Sequence, residues 1–200
     1  MQRLILPINK MRVTAGYRNK EYEKLFGFKH YGVDCTSTDG STIFYASGRG
    51  EVLCHGFDPV CGNVLIVRYN SCIMRKEVDD EELVVKDLVI RYFHLAKFKV
   101  KVGDKVTKDT ILGHYGSTGY STGPHLHIEL DEDVEYYAYS PTLSKNSRVI
   151  LKGIDTTLNP TKVLFVKPTY PDSQHIVNSF YDTVSSADLD YEVLKNGVVR

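Results

Sequence analysis

Residues 99–130 read KVKVGDKVTKDTILGHYGSTGYSTGPHLHIEL, and the pattern of this stretch sets the fold class. Lys and Val alternate up to a Gly-Asp turn at 103–104, the signature of a strand with one solvated face. Its lysines are read as solvent cover. The runs ILGHYG and HLHIEL follow, separated by a Gly-, Ser- and Thr-rich loop, and neither repeats at helical spacing. Upstream, TIFYAS (42–47), GEVLCH (50–55), NVLIVRYN (63–70) and DLVIRYFHL (87–95) are further short runs rich in Val, Ile, Tyr and Phe, bounded by Gly, Asp and Asn. The chain is therefore expected to be mostly β. The acidic stretch SCIMRKEVDDEELVV (71–85) interrupts what otherwise reads as a hairpin, and it is expected to form an extended tip or loop.

With 200 residues the chain suffices for one full core. Lys plus Arg and Asp plus Glu are balanced at 25 each, so no global field favours nucleic acid or an anionic membrane. No apolar run approaches the length of a bilayer span, and the opening MQRLILPINKMRV has no cleavage pattern of an export signal. Cys35, Cys54, Cys61 and Cys72 show no C-x-x-C spacing and are expected to be free thiols. Cys54 and Cys61, flanking HGFDPV, are the one pair that could face each other across a hairpin. A short helical turn is expected around Lys20 to Phe26 and another near Ile176 to Val184. Residues 1–145 are expected to form the main domain and 146–200 a C-terminal extension of unknown role packed on it.

Chemistry concentrates in three histidine clusters: H-Y-G-V-D at 30–34, Y-F-H-L at 92–95 and P-H-L-H at 124–127. On a strand, His125 and His127 share a face roughly 6–7 Å apart, within reach of one ion. His30 and Asp34 would lie roughly 13 Å apart on an extended chain, so the backbone must bend between them, and Gly32 supplies freedom for it. Imidazole and carboxylate suit zinc, and three protein ligands with a fourth position for water is the catalytic pattern. Such a site acidifies water and polarises a carbonyl, while unligated histidines nearby move protons. His55, His114 and His175 stand alone and are read as surface or core residues.

These motifs resemble the lysostaphin-type (LytM-like) cell-wall endopeptidases, whose hallmarks are H-x-x-x-D, Tyr-x-His-Leu and H-x-H. The similarity runs over roughly residues 14–130 and is most specific in the stretch quoted first. It implies an antiparallel β-sandwich of the barrel-sandwich kind with a groove borne on loops. It also implies that His30, Asp34 and His127 hold one Zn2+, and that His94 and His125 orient water, move protons and stabilise the oxyanion. Strand geometry alone leaves His125 and His127 equivalent; the resemblance selects His127. Gly116, Gly119 and Gly123 would let the chain turn beside the metal, with Tyr120 and Ser121 lining the groove. The implied substrate is peptidoglycan, either its stem peptides or its cross-bridges, at the bacterial cell wall. A non-catalytic wall-binding or regulatory protein on the same fold is the alternative. VKVGDKVTKDTILG also resembles biotinyl and lipoyl carriers, but the exposed Lys between small hydrophobic residues that a carrier needs is missing.

Overall fold

The computed structural model describes residues 1–9, 11–76, 82–135 and 155–165. Among these residues thirteen strands, one short α-helix and one 3-10 turn follow in order: β1 (Leu4–Ile5), β2 (Met11–Ala15), α1 (Lys20–Phe26), β3 (Val33–Ser37), β4 (Ile43–Tyr45), β5 (Gly50–Asp58), β6 (Gly62–Arg75), β7 (Leu83–Phe93), β8 (Leu95–Phe98), β9 (Lys105–Val106), β10 (Ile111–Tyr115), β11 (Leu126–Asp131), β12 (Thr157–Leu158), the 3-10 turn (Pro160–Lys162) and β13 (Leu164–Phe165). The large sheet has the order β2-β3-β11-β7-β6-β5-β9, with β12 paired to the end of β11, and a small sheet has the order β4-β10-β8. Pairing within both is antiparallel. None of the helices among the described residues is long and apolar enough to cross a membrane.

The sheets meet over a single buried cluster in which Phe44, Leu95 and Leu112 of the small sheet pack with Leu65, Val67, Ile90, Tyr92 and Ile128 of the large one. Strand alternation decides which residues enter it. Along β7, Leu88, Ile90 and Tyr92 face this core, whereas Val89 and Phe93 join Cys61, Val64 and Ile66 in a second, smaller cluster. Both faces of β7 are thus covered from Leu88 to Phe93, which is why that half of the strand runs almost continuously apolar. Arg91 is the exception, and it is fully buried.

β6 and β7 form the expected long hairpin, paired from Leu65–Tyr92 out to Arg75–Leu83. The acidic tract is therefore strand up to Arg75 and again from Leu83, with only residues 77–81 outside the described part. KFKVKV departs from its reading as one strand. β8 ends at Phe98, and the chain then turns, with the Lys101 backbone N–H donating to the Asp104 carboxylate (2.8 Å). Val100 is buried but Val102 is exposed, so the alternation stops one step early.

Cys54 and Cys61 do not face each other. Cys54 pairs with Ile66 in the β5–β6 register, while Cys61 sits in the turn before β6, where its N–H donates to Asp58 (2.9 Å). All four cysteines are free. Helix α1 forms where expected, capped by the Asn19 side chain and ended by Gly27 in the left-handed region. Residues 155–158 return to the large sheet, where β12 pairs with the end of β11, the Tyr17 hydroxyl donates to the Thr157 carbonyl (3.0 Å) and Arg18 pairs with Asp155 (2.6 Å), while β13 pairs in parallel with β1 in a separate two-stranded sheet. The expected helix at 176–184 lies outside the described residues.

Candidate metal centre and groove

β3 and β11 are neighbours, and their register sets Asp34 opposite His127. His30 precedes β3, and the chain bends at Gly32 to bring its ring back over the sheet. Gly32 is needed for a reason other than the expected one. Its φ is not positive, but a Cβ there would lie 2.6 Å from His127 Nε2 and against the Ile128 carbonyl. Only the absence of a side chain lets the loop pass so close to the imidazole.

The result is a triangle of three buried acceptors. His30 Nε2 lies 3.1 Å from Asp34 Oδ1 and 3.1 Å from His127 Nδ1, and His127 Nδ1 lies 2.8 Å from Asp34 Oδ1. His94 and His125 stand at its edge with ring centroids 4.6 Å apart, and His125 Nε2 is 3.6 Å from Asp34 Oδ1. All five side chains named from the sequence therefore come together. His55 stacks on Phe98 and His114 meets Thr42, both outside this cluster, and His175 is outside the described residues.

The backbone around the site fixes the imidazoles. His30 Nδ1 donates to the Gly16 carbonyl (2.6 Å), His94 Nδ1 to that of Thr118 (2.8 Å), and His125 Nδ1 to that of Gly123 (2.8 Å). A carbonyl only accepts, so each Nδ1 carries a proton, and in the neutral ring it is Nε2 that presents a lone pair inward. His94 also sits at the switch from β7 to β8 with φ +62, a left-handed backbone rare outside glycine. Its N–H donates to the Cys61 carbonyl (2.8 Å), and its own carbonyl accepts from Gly116 (2.9 Å), which holds the strained residue in place.

Electrostatics agree with a cation-seeking site. Burial would raise the Asp34 pKa, but His30 and the hydrogen bond from His127 outweigh it and hold the carboxyl well below its usual range. Burial also opposes charge on His127, yet the hydrogen bond to Asp34 and the nearby Glu129 carboxylate carry its pKa up to about 9 in the metal-free chain. A proton then stands where a metal would. Burial first, and then His127, push His94 down to about 4, so it is neutral near pH 7. Two atoms bound to one zinc at tetrahedral angles lie about 3.3 Å apart, close to the edges of this triangle. The residues fit a zinc ion of the open, three-ligand kind.

A groove of about 590 Å³ opens over the triangle. Tyr22 and Phe26 of α1, Tyr120 and Ser121 line it together with Asp34, His94 and His125, and Phe26 meets Tyr120 edge to face (6.3 Å between centroids). Tyr22 stacks on His30 (4.2 Å between centroids, 20°), and Phe93 lies parallel to His127 (5.0 Å, 2°). The part α1 plays in lining the groove was not legible from the sequence; the helix buries no residue in the core and turns Tyr22 and Phe26 to the groove instead. Of the loop glycines, Gly119 has a φ of +73 and packs against Gly62, whereas Gly123 faces open space and needs no such freedom.

The sequence pattern that defines peptidase family M23 matches residues 28–138, a span that includes all five clustered side chains. The chain belongs to peptidase family M23. This M23 chain is 38% identical over 105 residues to the glycyl-glycine endopeptidase ALE-1 of Staphylococcus capitis, covering 52% of the chain and 25% of that protein. It is 35% identical over 101 residues to the peptidoglycan DD-endopeptidase ShyA of Vibrio cholerae, covering 50% and 20% respectively. A solved zinc-containing peptidase from Vibrio cholerae shares the M23 fold with a TM-score of 0.51 and 30% identity over 64% of this chain and 36% of that one. The M23 chain spans less than a third of the length of the curated relatives it matches.

Proposed function

We propose that this chain is a zinc-dependent endopeptidase that hydrolyses peptide bonds of peptidoglycan, with His30, Asp34 and His127 as metal ligands and His94 and His125 as the catalytic pair. The observation that carries the reading is the convergence of three buried acceptors within 3.1 Å of one another beside a groove. Family membership supports the chemistry. A zinc ion held there supplies a Lewis acid for the scissile carbonyl and lowers the pKa of a water.

The remaining work falls to the chain's own side chains. His94 and His125 each turn a bare Nε2 inward, so either accepts a proton from the attacking water at that atom. Once protonated, the same nitrogen becomes a donor for the oxyanion or for the leaving amine. Asp34 and His127 keep the site dry and charged, and the φ +62 backbone of His94 fixes its ring relative to Asp34. The groove lined by Tyr22, Phe26, Tyr120 and Ser121 accepts an extended peptide.

ALE-1 and ShyA carry names for two different bonds, a glycyl-glycine link and a DD link. Mass spectrometry of fragments released from peptidoglycans with different cross-bridges, using zinc-loaded protein, decides between them. New amino termini at one bond type are expected. Zinc bound at one per chain with no bond cut in any preparation refutes the enzyme reading and favours a wall-binding role.

A further inference from the structure

Three of the four clustered histidines satisfy their outward nitrogen on a backbone carbonyl, and His127 does not. Its Nε2 is buried without a hydrogen-bond partner. The nearest charged atom is Glu129 Oε2, 3.7 Å away. Glu129 follows His127 by two residues on β11, which sets both on the same face. Its other oxygen accepts from Arg91 Nη1 (2.7 Å), and the same Arg91 nitrogen reaches Asp131 Oδ2 (2.8 Å). The β7–β11 register produces this arrangement by pairing Arg91 with Glu129 and Phe93 with His127. Arg91, Glu129 and Asp131 are each no more than 2% exposed. Keeping three charges out of water beside an unsatisfied imidazole nitrogen is costly unless the carboxylate has a task there.

We propose that Glu129, anchored by Arg91, is a positioning residue for His127: its carboxylate receives the Nε2–H, locking the tautomer whose Nδ1 lone pair would serve a cation held between His127, Asp34 and His30. The inference rests on the metal-site reading above and adds to it the group that sets one ligand's tautomer and basicity. The gap of 3.7 Å exceeds a hydrogen bond by about 0.7 Å. The terminal torsion of a Glu side chain is soft, so Oε2 closes that distance while Oε1 stays on Arg91. The acid–imidazole contact runs behind the ligand and leaves the groove side of the site free for substrate.

Glu129→Gln tests this without changing volume. Arg91 demands an acceptor, so the amide oxygen turns to it and the NH2 group turns to His127 Nε2. Donor then faces donor in the ligand tautomer, and the imidazole shifts its proton to Nδ1. Zinc affinity, measured by competition with a chromophoric chelator, is expected to fall about 10- to 100-fold. Asp131→Asn cuts the same Arg91 network without touching His127 and is expected to stay within about twofold of wild type. In the zinc-loaded wild type, imidazole 1H–15N spectra are expected to show His127 protonated at Nε2 and bound through Nδ1, a readout that needs no variant to fold.

Equal affinity in Glu129→Gln and wild type overturns the proposal. An equal loss in Asp131→Asn also overturns it, because the network is then only structural. So does a His127 found protonated at Nδ1 in the loaded protein. A wild type that binds no zinc fails differently, since it removes the metal site itself.

Discussion

In the metal-free chain the His127 proton occupies the place of the cation, and stability should record it. The pKa of His127 rises from 6.5 to about 9 on folding, because the hydrogen bond to Asp34 and the nearby Glu129 carboxylate outweigh its burial. A group whose folded pKa is raised stabilises the fold fully below its unfolded pKa and loses that contribution as pH climbs through the folded value. A shift of this size corresponds to about 3 kcal/mol at acid pH, of which about 2 kcal/mol should vanish between about pH 6.5 and 8.5. On the other side, His94 has its pKa lowered to about 4 by burial and by His127. Its folded form resists protonation, so it withdraws stability as pH falls from about 6.5 towards 4. Metal-free protein should therefore be most stable near pH 6.5. Urea denaturation in the presence of a chelator at a series of pH values measures the curve. Burial also raises the pKa values of Cys35, Cys61 and Cys72, which adds a decline of the same sign above about pH 8.5. Asp34→Asn separates the two, because it keeps every thiol and removes the main partner of His127. Its curve between pH 6.5 and 8.5 should be clearly shallower than that of wild type. A wild-type curve that is flat or rising over this range, or one that Asp34→Asn leaves unchanged, refutes the reasoning.

His94→Ala and His125→Ala should each keep zinc while slowing peptidoglycan cleavage by about 100-fold or more, since each removes a proton-transfer group beside the ligands. If His125→Ala strips zinc as completely as His127→Ala, the assignment within H-L-H is wrong. Gly32→Ala puts a methyl group 2.6 Å from His127 Nε2; about 1–3 kcal/mol of stability should be lost together with much of the zinc affinity, both readable by denaturation and metal titration. Thiol labelling of unfolded, unreduced protein should find all four cysteines reactive, and a count of two would place a disulfide where the register forbids one.

The class of fold and the residues of the centre were legible in the sequence because they depend on local pattern. Alternation in ILGHYG, HLHIEL and the neighbouring runs marks strands wherever one face is solvated, and H-x-x-x-D and H-x-H mark side chains that neighbouring backbone can aim together. Local pattern also led to errors where a single residue tips the outcome, as at Lys99–Val102, where the Asp104 side chain captures the Lys101 N–H and turns the chain early. The Cys54–Cys61 pairing failed because loop length does not reveal the β5–β6 register.

The identity of the five chemically able side chains was readable from the linear chain. The choice among their nitrogens came from tertiary structure, because the Gly16, Thr118 and Gly123 carbonyls that tie the Nδ1 atoms of His30, His94 and His125 become neighbours only when distant loops pack together. The same holds for Arg91, a charge within the apolar run DLVIRYF that the fold encloses completely. Antiparallel pairing of β7 with β11 sets it beside Glu129, and the cost of burying a charge makes that contact obligatory.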